Sequence, residues 1–260
     1  MVLREVEPSQ NISDFPLISA NLPGKHRIHL LLLFELWITI IIMFFLNRGY
    51  YSSLFIQKTW TYLLLPLFIY GLFWQFFIIS ILLSGIVYHI VRLIEPPKEG
   101  FFELSSREAQ FYFMRFWICY YGLYIARAMP LPWADMYFYR IFGAHIGKNI
   151  VLYDSWIDPE YVDIEDNCMI SLNTQLISHA IIGKYLYVKR VLVKKSGIAG
   201  GGAIVAPGTT IREGAVLGGG STSHFNQELA PYCIHVGTPA KIALPIKVEK
   251  TSKKKKMRKK

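Results

Sequence analysis

The chain has 260 residues, of which 53% are hydrophobic and 18% are charged, whereas soluble domains carry about 25% charged residues. This composition argues against a purely soluble protein, and it excludes an intrinsically disordered chain, which needs low hydrophobicity. The net charge of +10 is concentrated at the C-terminus, because residues 247–260 contain nine basic residues and one glutamate. A nucleic-acid-binding domain would carry its basic residues on a folded face, so we expect no nucleic-acid partner.

Two apolar segments occupy the first third of the chain. Residues 28–46 contain one charged residue, and residues 59–91 contain no Asp, Glu, Lys or Arg. Each segment is long enough to cross the core of a bilayer as a helix. The sequence therefore predicts an N-terminal α-helical hairpin of two transmembrane helices, roughly 28–46 and 63–91, within a unit of residues 28–99.

The single charge in the first segment is Glu35. An ionisable side chain inside a membrane span is a candidate functional site, because burying a charge there is costly. The alternative is that Glu35 pairs with a polar group of the bundle, such as His89.

Basic residues near the ends of the helices predict the orientation in the membrane. Those at the outer ends are Lys25, Arg27, Arg92 and Lys98. The loop between the helices also carries two basic residues, so the polybasic tail of residues 244–260 decides the assignment. We expect this tail to be disordered. The prediction is a multi-pass protein of the cell membrane with both termini, including the segment 1–27, in the cytosol.

Residues 100–142 are rich in aromatic side chains. The uncharged run 116–126 is too short to cross a bilayer, and Trp and Tyr favour the membrane–water interface. We expect an interfacial helical linker with Arg115 and Arg127 among the lipid headgroups. A third, short span is the alternative, and it would place the last domain on the other side of the membrane.

A six-residue repeat begins near residue 143. Aliphatic residues recur at Val193, Ala199, Val205, Ile211 and Leu217, and a small residue follows each of them four positions later. Such a period indicates a coil with one tight corner per repeat, in which the aliphatic side chains point inward.

An earlier block has the same period but is less regular. Its aliphatic positions are Ile146, Leu152, Ile164, Ile170, Leu176 and Ile182, and Asp158 is the one break in the series. The spacing between Ile182 and Val193 is one short of two repeats. We therefore expect the coil to be interrupted between about residues 180 and 192.

These repeats resemble the hexapeptide repeats of left-handed parallel β-helix acyltransferases. The motifs that carry the resemblance are Ile146-Gly147-Lys148-Asn149, Ile164-Glu165-Asp166-Asn167, Ile211-Arg212-Glu213-Gly214 and the closing Val236-Gly237-Thr238-Pro239-Ala240-Lys241. The order of Phe142-Gly143-Ala144-His145-Ile146-Gly147, then Ile177-Ser178-His179, is similar to the membrane-attached terminal region of polylysine-synthetase-type peptide synthetases. The resemblance implies a mixed membrane protein in which a left-handed β-helix of residues 143–243 follows the helices.

The resemblance also implies the reaction and its residues. The related enzymes form trimers, and acyl-CoA lies in the groove between neighbouring prisms. Among seven histidines, His179 alone falls at the edge of the interrupted coil, and a neutral imidazole suits a general base at neutral pH. The residues expected to bind CoA are Arg190, Gly201, Gly202, Gly219 and Lys241. Arginine and lysine would contact its phosphates, and bare glycine backbone would approach its pantetheine arm.

The sequence therefore predicts a membrane-anchored O- or N-acyltransferase that takes acyl-CoA, with acetyl-CoA as the expected donor. Anchoring favours a lipid-linked or membrane-proximal acceptor, and the family implies a homotrimer. One alternative is a non-catalytic β-helix scaffold at the membrane. Another is a zinc enzyme similar to γ-type carbonic anhydrases, but that needs several neighbouring histidines, and His179 has none between residues 146 and 223. We therefore expect no metal site.

Overall fold

The computed structural model describes residues 25–55, 59–129, 131 and 134–245. The predictions for the segment 1–24 and for the tail 246–260 lie outside these residues. The helices are α1 (Lys25–Phe55), α2 (Thr59–Leu63), α3 (Leu65–Ile94), α4 (Arg107–Ala128) and α5 (Ala134–Ile141), and a short 3-10 turn spans Pro159–Tyr161.

Strand β1 lies before the C-terminal domain in the chain, and the other strands belong to that domain. The strands are β1 (Gly100–Glu103), β2 (His145–Ile146), β3 (Val151–Leu152), β4 (Trp156–Ile157), β5 (Val162–Ile164), β6 (Met169–Ile170), β7 (Gln175–Leu176), β8 (His179–Ile182), β9 (Tyr185–Val188), β10 (Val191–Val193), β11 (Ile198–Ala199), β12 (Ile204–Val205), β13 (Thr210–Ile211), β14 (Val216–Leu217), β15 (Glu228–Leu229), β16 (Cys233–Gly237) and β17 (Ala240–Pro245).

Two helices are long and apolar enough to cross a membrane, as the sequence predicted. They are Arg27–Leu54 and Leu65–Ile94. The first runs beyond its expected end at residue 46, because polar Asn47 is accommodated inside the helix. Its side-chain amide donates to the Met43 carbonyl at 2.7 Å and to Gln75 of α3 at 2.6 Å. Most of the apolar side chains on both helices are exposed in the isolated chain.

Glu35 pairs within this bundle, although not with His89. Its carboxylate accepts a hydrogen bond from Ser84 of α3 at 2.7 Å, and the residue is almost fully buried. Together with the contact between Asn47 and Gln75, it joins α1 to α3 by polar interactions.

The C-terminal domain is a three-sided parallel β-helix. Strands stack on three faces: the first face holds β2, β5, β10, β13 and β15; the second β3, β6, β11, β14, β16 and β17; the third β4, β7 and β12. One coil takes 18 residues, so that His145 pairs with Asp163 and Leu192 pairs with Thr210. These parallel pairings confirm the repeat period, while the left-handed sense of the coil stays a prediction.

The prediction that the aliphatic residues of the series point inward is correct on both sides of the interruption, with one exception. The fully buried members of the series are Ile164, Ile170, Leu176, Val193, Ala199, Val205, Ile211 and Leu217. Ile182, which was expected to point inward, is 44% exposed. It lies on the inserted segment, where the six-residue register does not apply.

The interruption is a β-hairpin. Strands β8 and β9 pair antiparallel, and β1 adds to the other edge of β9. The Lys189 amide donates to the Ser178 carbonyl at 2.8 Å, which closes the base of the hairpin and returns the chain to the coil. The insertion therefore begins slightly before the predicted range, at residue 179. Residues 100–103 form a strand of this small sheet rather than part of a helical linker.

The closing segment also differs from its predicted boundary. Strand β17 runs to Pro245 and pairs antiparallel with β16. The β-helix domain therefore extends beyond residue 243, because the chain after the closing motif folds back on the last coil.

Helix α4 is not an interfacial helix with its arginines among headgroups. It packs between α3 and the β-helix, and its side chains share one hydrophobic core with both. Arg115 is buried, and its guanidinium pairs with Glu160 at 2.8 Å and donates to the Glu95 carbonyl at 2.8 Å. Tyr88 of α3 donates to the same Glu160 carboxylate at 3.1 Å. The partner of the buried Arg115 guanidinium lies on the β-helix, so α4 packs against that domain. Its aromatic side chains therefore contact protein.

Removing one member of this ion pair should destabilise the fold strongly. Arg115→Met leaves the Glu160 carboxylate buried without its partner, which costs about 3–5 kcal/mol. The double variant Arg115→Met/Glu160→Met should recover most of the loss, since apolar side chains replace the whole pair. The measurement is denaturant or thermal unfolding in detergent.

A matched control is Lys194→Met, which breaks the exposed pair between Lys194 and Glu165 and should leave stability almost unchanged. Equal stability of Arg115→Met and the wild type would contradict the role given to the buried pair.

Candidate active site

The predicted base, His179, forms a hydrogen-bonded pair with an aspartate. Its Nδ1 lies 2.7 Å from Oδ2 of Asp158. Strands β4 and β7 pair on the third face, with Ile157 beside Leu176, so the residues that follow them meet at one corner of the coil. Asp158 directly follows β4, and His179 begins the inserted hairpin three residues after β7. The parallel stacking therefore brings the two side chains together from adjacent coils.

Asp158 is held in place by more than the histidine. The same Oδ2 accepts hydrogen bonds from the backbone amide and the hydroxyl of Ser178, both at 2.8 Å. An aspartate at Nδ1 orients the imidazole, and it favours the tautomer in which Nε2 is the unprotonated nitrogen. Nε2 is then available to accept a proton from a bound molecule.

The charges of the pair stabilise each other. Burial disfavours the imidazolium, but the charge and the hydrogen bond of Asp158 outweigh burial and raise the pKa of His179 above its ordinary value of 6.5. Burial also acts against the carboxylate, yet the His179 charge and the Ser178 hydrogen bonds hold the pKa of Asp158 below its ordinary value of 3.8. Asp158 is therefore ionised across the physiological range, and His179 keeps its proton to a higher pH than a free histidine does.

Helix α4 forms a second wall over the histidine. The His179 ring contacts the rings of Tyr112 and Phe116, with centroid distances of 5.5 and 5.3 Å. On the third face, Trp156 stacks on Tyr120 at 5.2 Å. Two aromatic rings of α4 therefore pack against the imidazole, whose side chain remains 23% exposed.

A cavity of about 380 Å³ lies between α4, α5 and the third face. Its lining residues are Phe116, Cys119, Tyr120, Leu123, Phe138, Tyr139, Trp156, Ile157, Asp158, Pro159, Gln175, Leu176, Ile177 and His179. Its size falls in the usual range of small-molecule sites, about 300–1,000 Å³. A single chain therefore provides a pocket at His179, because α4 and α5 cover the third face.

The glycines predicted to bind CoA lie at the other end of the third face. Gly201 and Gly202 follow β11 and precede β12, and Gly219 stacks beside them one coil later, with the Gly220 amide donating to the Gly201 carbonyl at 2.9 Å. Gly202 has a φ of +66°, a left-handed conformation that favours glycine, although Asn173 adopts it at the equivalent corner one coil earlier. Gly201 has no such constraint, and a Cβ there would meet the Leu172 carbonyl oxygen at 3.5 Å and the Ser171 Cβ at 4.0 Å. Its exposed backbone is therefore not explained by the turn.

The two predicted cationic residues are not brought together. Arg190 lies before β10 on the first face, and its guanidinium pairs with Asp163 at 2.9 Å and with Glu99 at 3.3 Å. A phosphate there would compete with two carboxylates. Lys241 is exposed on β17, at the edge of the second face. Of the predicted donor-site residues, only the three glycines share one corner.

Sequence reasoning missed Asp158 as a partner of His179. Its signal was present, because Asp158 is the position at which the aliphatic series is broken. A carboxylate in place of an inward aliphatic residue indicates a specific role at that corner. The cavity wall from α4 had no comparable signal, since a stretch of aromatic residues predicts membrane contact and protein contact equally well.

Among the described residues, no group of three or more His, Cys, Asp or Glu side chains could hold a metal ion. The arrangement at His179 can accept a proton, hold it beside a carboxylate and return it.

No protein-family model matches the chain, and no curated protein matches it. Solved structures do match. A maltose O-acetyltransferase from Clostridium difficile 630 is 18% identical, covers 50% of this chain and 85% of its own, and has a TM-score of 0.40. A variant of AntD, an N-acyltransferase from Bacillus cereus, in complex with dTDP and coenzyme A, is 18% identical over 44% of this chain and 89% of its own, with a TM-score of 0.32. The serine acetyltransferase of Neisseria gonorrhoeae is 15% identical over 65% of this chain and 56% of its own, with a TM-score of 0.35.

The pairing of His179 with Asp158 predicts a specific titration. His179 should titrate above pH 6.5, and Asp158→Asn should lower its pKa, because burial then acts without the opposing charge. NMR of ¹³C-labelled imidazoles in detergent measures this, with His179→Gln to assign the signal. An unchanged pKa in Asp158→Asn would contradict the coupling.

Because of these two pKa shifts, the stability of the fold depends on pH. A raised folded pKa means that the stabilising contribution of His179 is complete below about pH 6.5 and is lost as the pH rises through its folded pKa. The lowered pKa of Asp158 acts in the opposite direction, so that its contribution is present above pH 3.8 and is lost as the pH falls through its folded pKa.

Proposed function

We propose that this protein is an acyl-CoA-dependent O- or N-acyltransferase with His179 as its general base. The observation that supports the proposal most directly is the bond of 2.7 Å between His179 and Asp158 at the edge of a cavity of about 380 Å³. A scaffold would have no need for an oriented imidazole beside an enclosed space.

In the proposed reaction, Nε2 of His179 removes the proton from the acceptor hydroxyl or amine as that group attacks the thioester carbonyl. The new C–O or C–N bond forms, the C–S bond breaks, and the departing thiolate takes the proton back from His179. Asp158 keeps Nδ1 protonated and stabilises the imidazolium between the two proton transfers. The acceptor is itself the nucleophile, so no enzyme serine or cysteine takes part.

The donor is proposed to be acyl-CoA, with acetyl-CoA as the smallest natural case. Support comes from the glycine corner, where the backbone of Gly201 and Gly219 is exposed. Exposed amide and carbonyl groups can pair with the two amides of a pantetheine arm. Lys241 and Arg190 remain the proposed contacts of the CoA phosphates. For Arg190 this requires an exchange of its present carboxylate partners.

The helices are proposed to hold the enzyme at a cell membrane with the β-helix in the cytosol, where acyl-CoA is available. The two apolar helices support anchoring. An anchored enzyme gains access to acceptors that are lipid-linked or close to the membrane.

A homotrimer is proposed from an apolar column on the second face. Its members lie side by side on paired strands: Val151, Met169, Ile198, Val216, Ile234 and, from β17, Leu244. Three of them, Val151, Met169 and Leu244, are at least 39% exposed. The outward residues of the first face include His145, Asp163 and Glu228, so the first face does not share this apolar character. A continuous apolar strip on a folded domain marks an interface.

Replacing the base should abolish most of the activity. His179→Ala should lower the rate of acetyl-CoA-dependent thiol release by roughly 10²–10⁴, the usual contribution of a general base. The assay uses a membrane lipid extract as the source of acceptor, and mass spectrometry identifies the acylated product.

The control is His224→Ala, which removes an exposed histidine outside the cavity and should leave the rate unchanged. In the wild type the rate should rise with pH through the pKa of His179, since only the neutral imidazole accepts a proton. A His179→Ala variant as active as the wild type would remove His179 from the reaction.

Charging the apolar column should dissociate the trimer. Met169→Glu places a carboxylate in the centre of the proposed interface, where it would be buried without a partner. Light scattering in detergent should give three copies for the wild type and one for the variant. Tyr153→Glu, which changes an exposed residue next to the same face, is the control. A monomeric wild type would contradict the assembly.

A further inference from the structure

We propose that the cavity beside His179 binds the acceptor, and that this acceptor carries its hydroxyl or amine directly on a hydrocarbon body. The inference rests on the acyltransferase function proposed above and names the class of its second substrate. It excludes a soluble sugar, and it also excludes a lipid-linked sugar whose reacting group is far from the hydrocarbon.

The chemistry of the lining supports an apolar occupant. Five aromatic rings enclose the space, from Phe116, Tyr120, Phe138, Tyr139 and Trp156. Tyr139 donates its hydroxyl to the Ser155 carbonyl at 2.6 Å, so it presents its ring to the cavity. Besides His179 and Asp158, the polar groups of the lining are the amide of Gln175, the hydroxyl of Tyr120, the indole N–H of Trp156 and the thiol of Cys119. A sugar would bury several hydroxyls there without partners, each at a cost of about 1–3 kcal/mol.

The volume of the cavity is far too large for the transferred group. A water molecule occupies about 30 Å³ in the liquid, so 380 Å³ accommodates roughly a dozen groups of that size. An acetyl group has three non-hydrogen atoms and would leave most of this space empty. The remaining space can therefore hold the body of the acceptor.

The position of the cavity separates it from the donor corner. It lies over β4 and β7, under α4, whereas the exposed glycines lie beside β12 at the opposite end of the strands of the same face. A thioester that arrives from the glycine corner and a nucleophile that projects from the cavity would meet at His179. In this arrangement the acyl donor approaches the imidazole from the glycine corner, and the acceptor approaches it from the cavity.

The wall of the cavity is continuous with the apolar helices. Phe116, Tyr120 and Leu123 line the cavity from one face of α4, while Ile118 of the same helix lies in the core shared with Tyr88 of α3. Helix α4 therefore carries the wall of the cavity on one face and the packed contact with α3 on another.

The test uses unbranched primary alkylamines from ethylamine to decylamine as acceptors with acetyl-CoA. Their amines are chemically alike, so that only the apolar part varies. Each buried methylene should raise kcat/KM about fourfold, from its transfer free energy of ~0.8 kcal/mol, until the cavity is full. Ethanolamine and glucosamine, which carry the same nucleophile on a polar body, should react no faster than ethylamine.

Two substitutions of Leu123 should change the preferred chain length of the amine in opposite directions. Leu123→Ala enlarges the space and should shift the preferred amine to longer chains, which a merely damaged fold would not do. Leu123→Trp fills the space and should shift the preference to shorter chains. Leu93→Trp, at a position of α3 that is 84% exposed, is the matched control and should leave the profile unchanged.

A profile that is flat with chain length, or one that favours glucosamine over the alkylamines, would overturn the inference while leaving the acyltransferase function in place. If no acceptor releases thiol, including the membrane extract of the His179 experiment, both the function and the inference are wrong.

Discussion

The buried ion pair between Arg115 and Glu160 determines how the two halves of the molecule meet. Glu160 stands two residues after Asp158, in the turn that leads from the third face to the first, and Arg115 stands one residue before Phe116. Neither charge is stable in an apolar interface without the other. The requirement to pair them fixes α4 against this turn, and it thereby fixes the aromatic wall of the cavity relative to His179 and Asp158. Tyr88 extends the same network to α3, so the position of this helix is coupled to the cavity.

The six-residue repeat predicts most of the β-helix. A side chain that points inward every six residues can be recognised because the coil is regular, and the aliphatic series was correct up to Leu176 and again from Val193. The same reasoning failed at Ile182, because the inserted hairpin obeys the two-residue period of antiparallel strands. The histidine could be selected because of its place beside this insertion. Its partner Asp158 could have been selected too, had the break in the series been interpreted as a functional position.

The environment of α4 could not be predicted in this way. An arginine within an aromatic helix is compatible with lipid headgroups, and it is equally compatible with a carboxylate elsewhere in the protein. The partner is 45 residues away in the sequence, and only the three-dimensional arrangement brings it close. The composition of a helix shows which environments are compatible with it. Residues far away in the sequence determine which groups it actually contacts. The cavity follows from this long-range contact, so its existence was not foreseeable from the helix alone.

The small sheet formed by β1, β9 and β8 has a consequence for the order of folding. Most coils of the β-helix pair residues that are 18 apart, and across the inserted hairpin the distance is 29, so they can form one after another as the chain is synthesised. The strand that carries His179 pairs directly with β9, so this hairpin also forms from local contacts. Strand β1 pairs Gly100 with Val188, which requires a much longer loop to close. The wall that α4 provides over His179 likewise depends on long-range contacts, such as the one between Arg115 and Glu160.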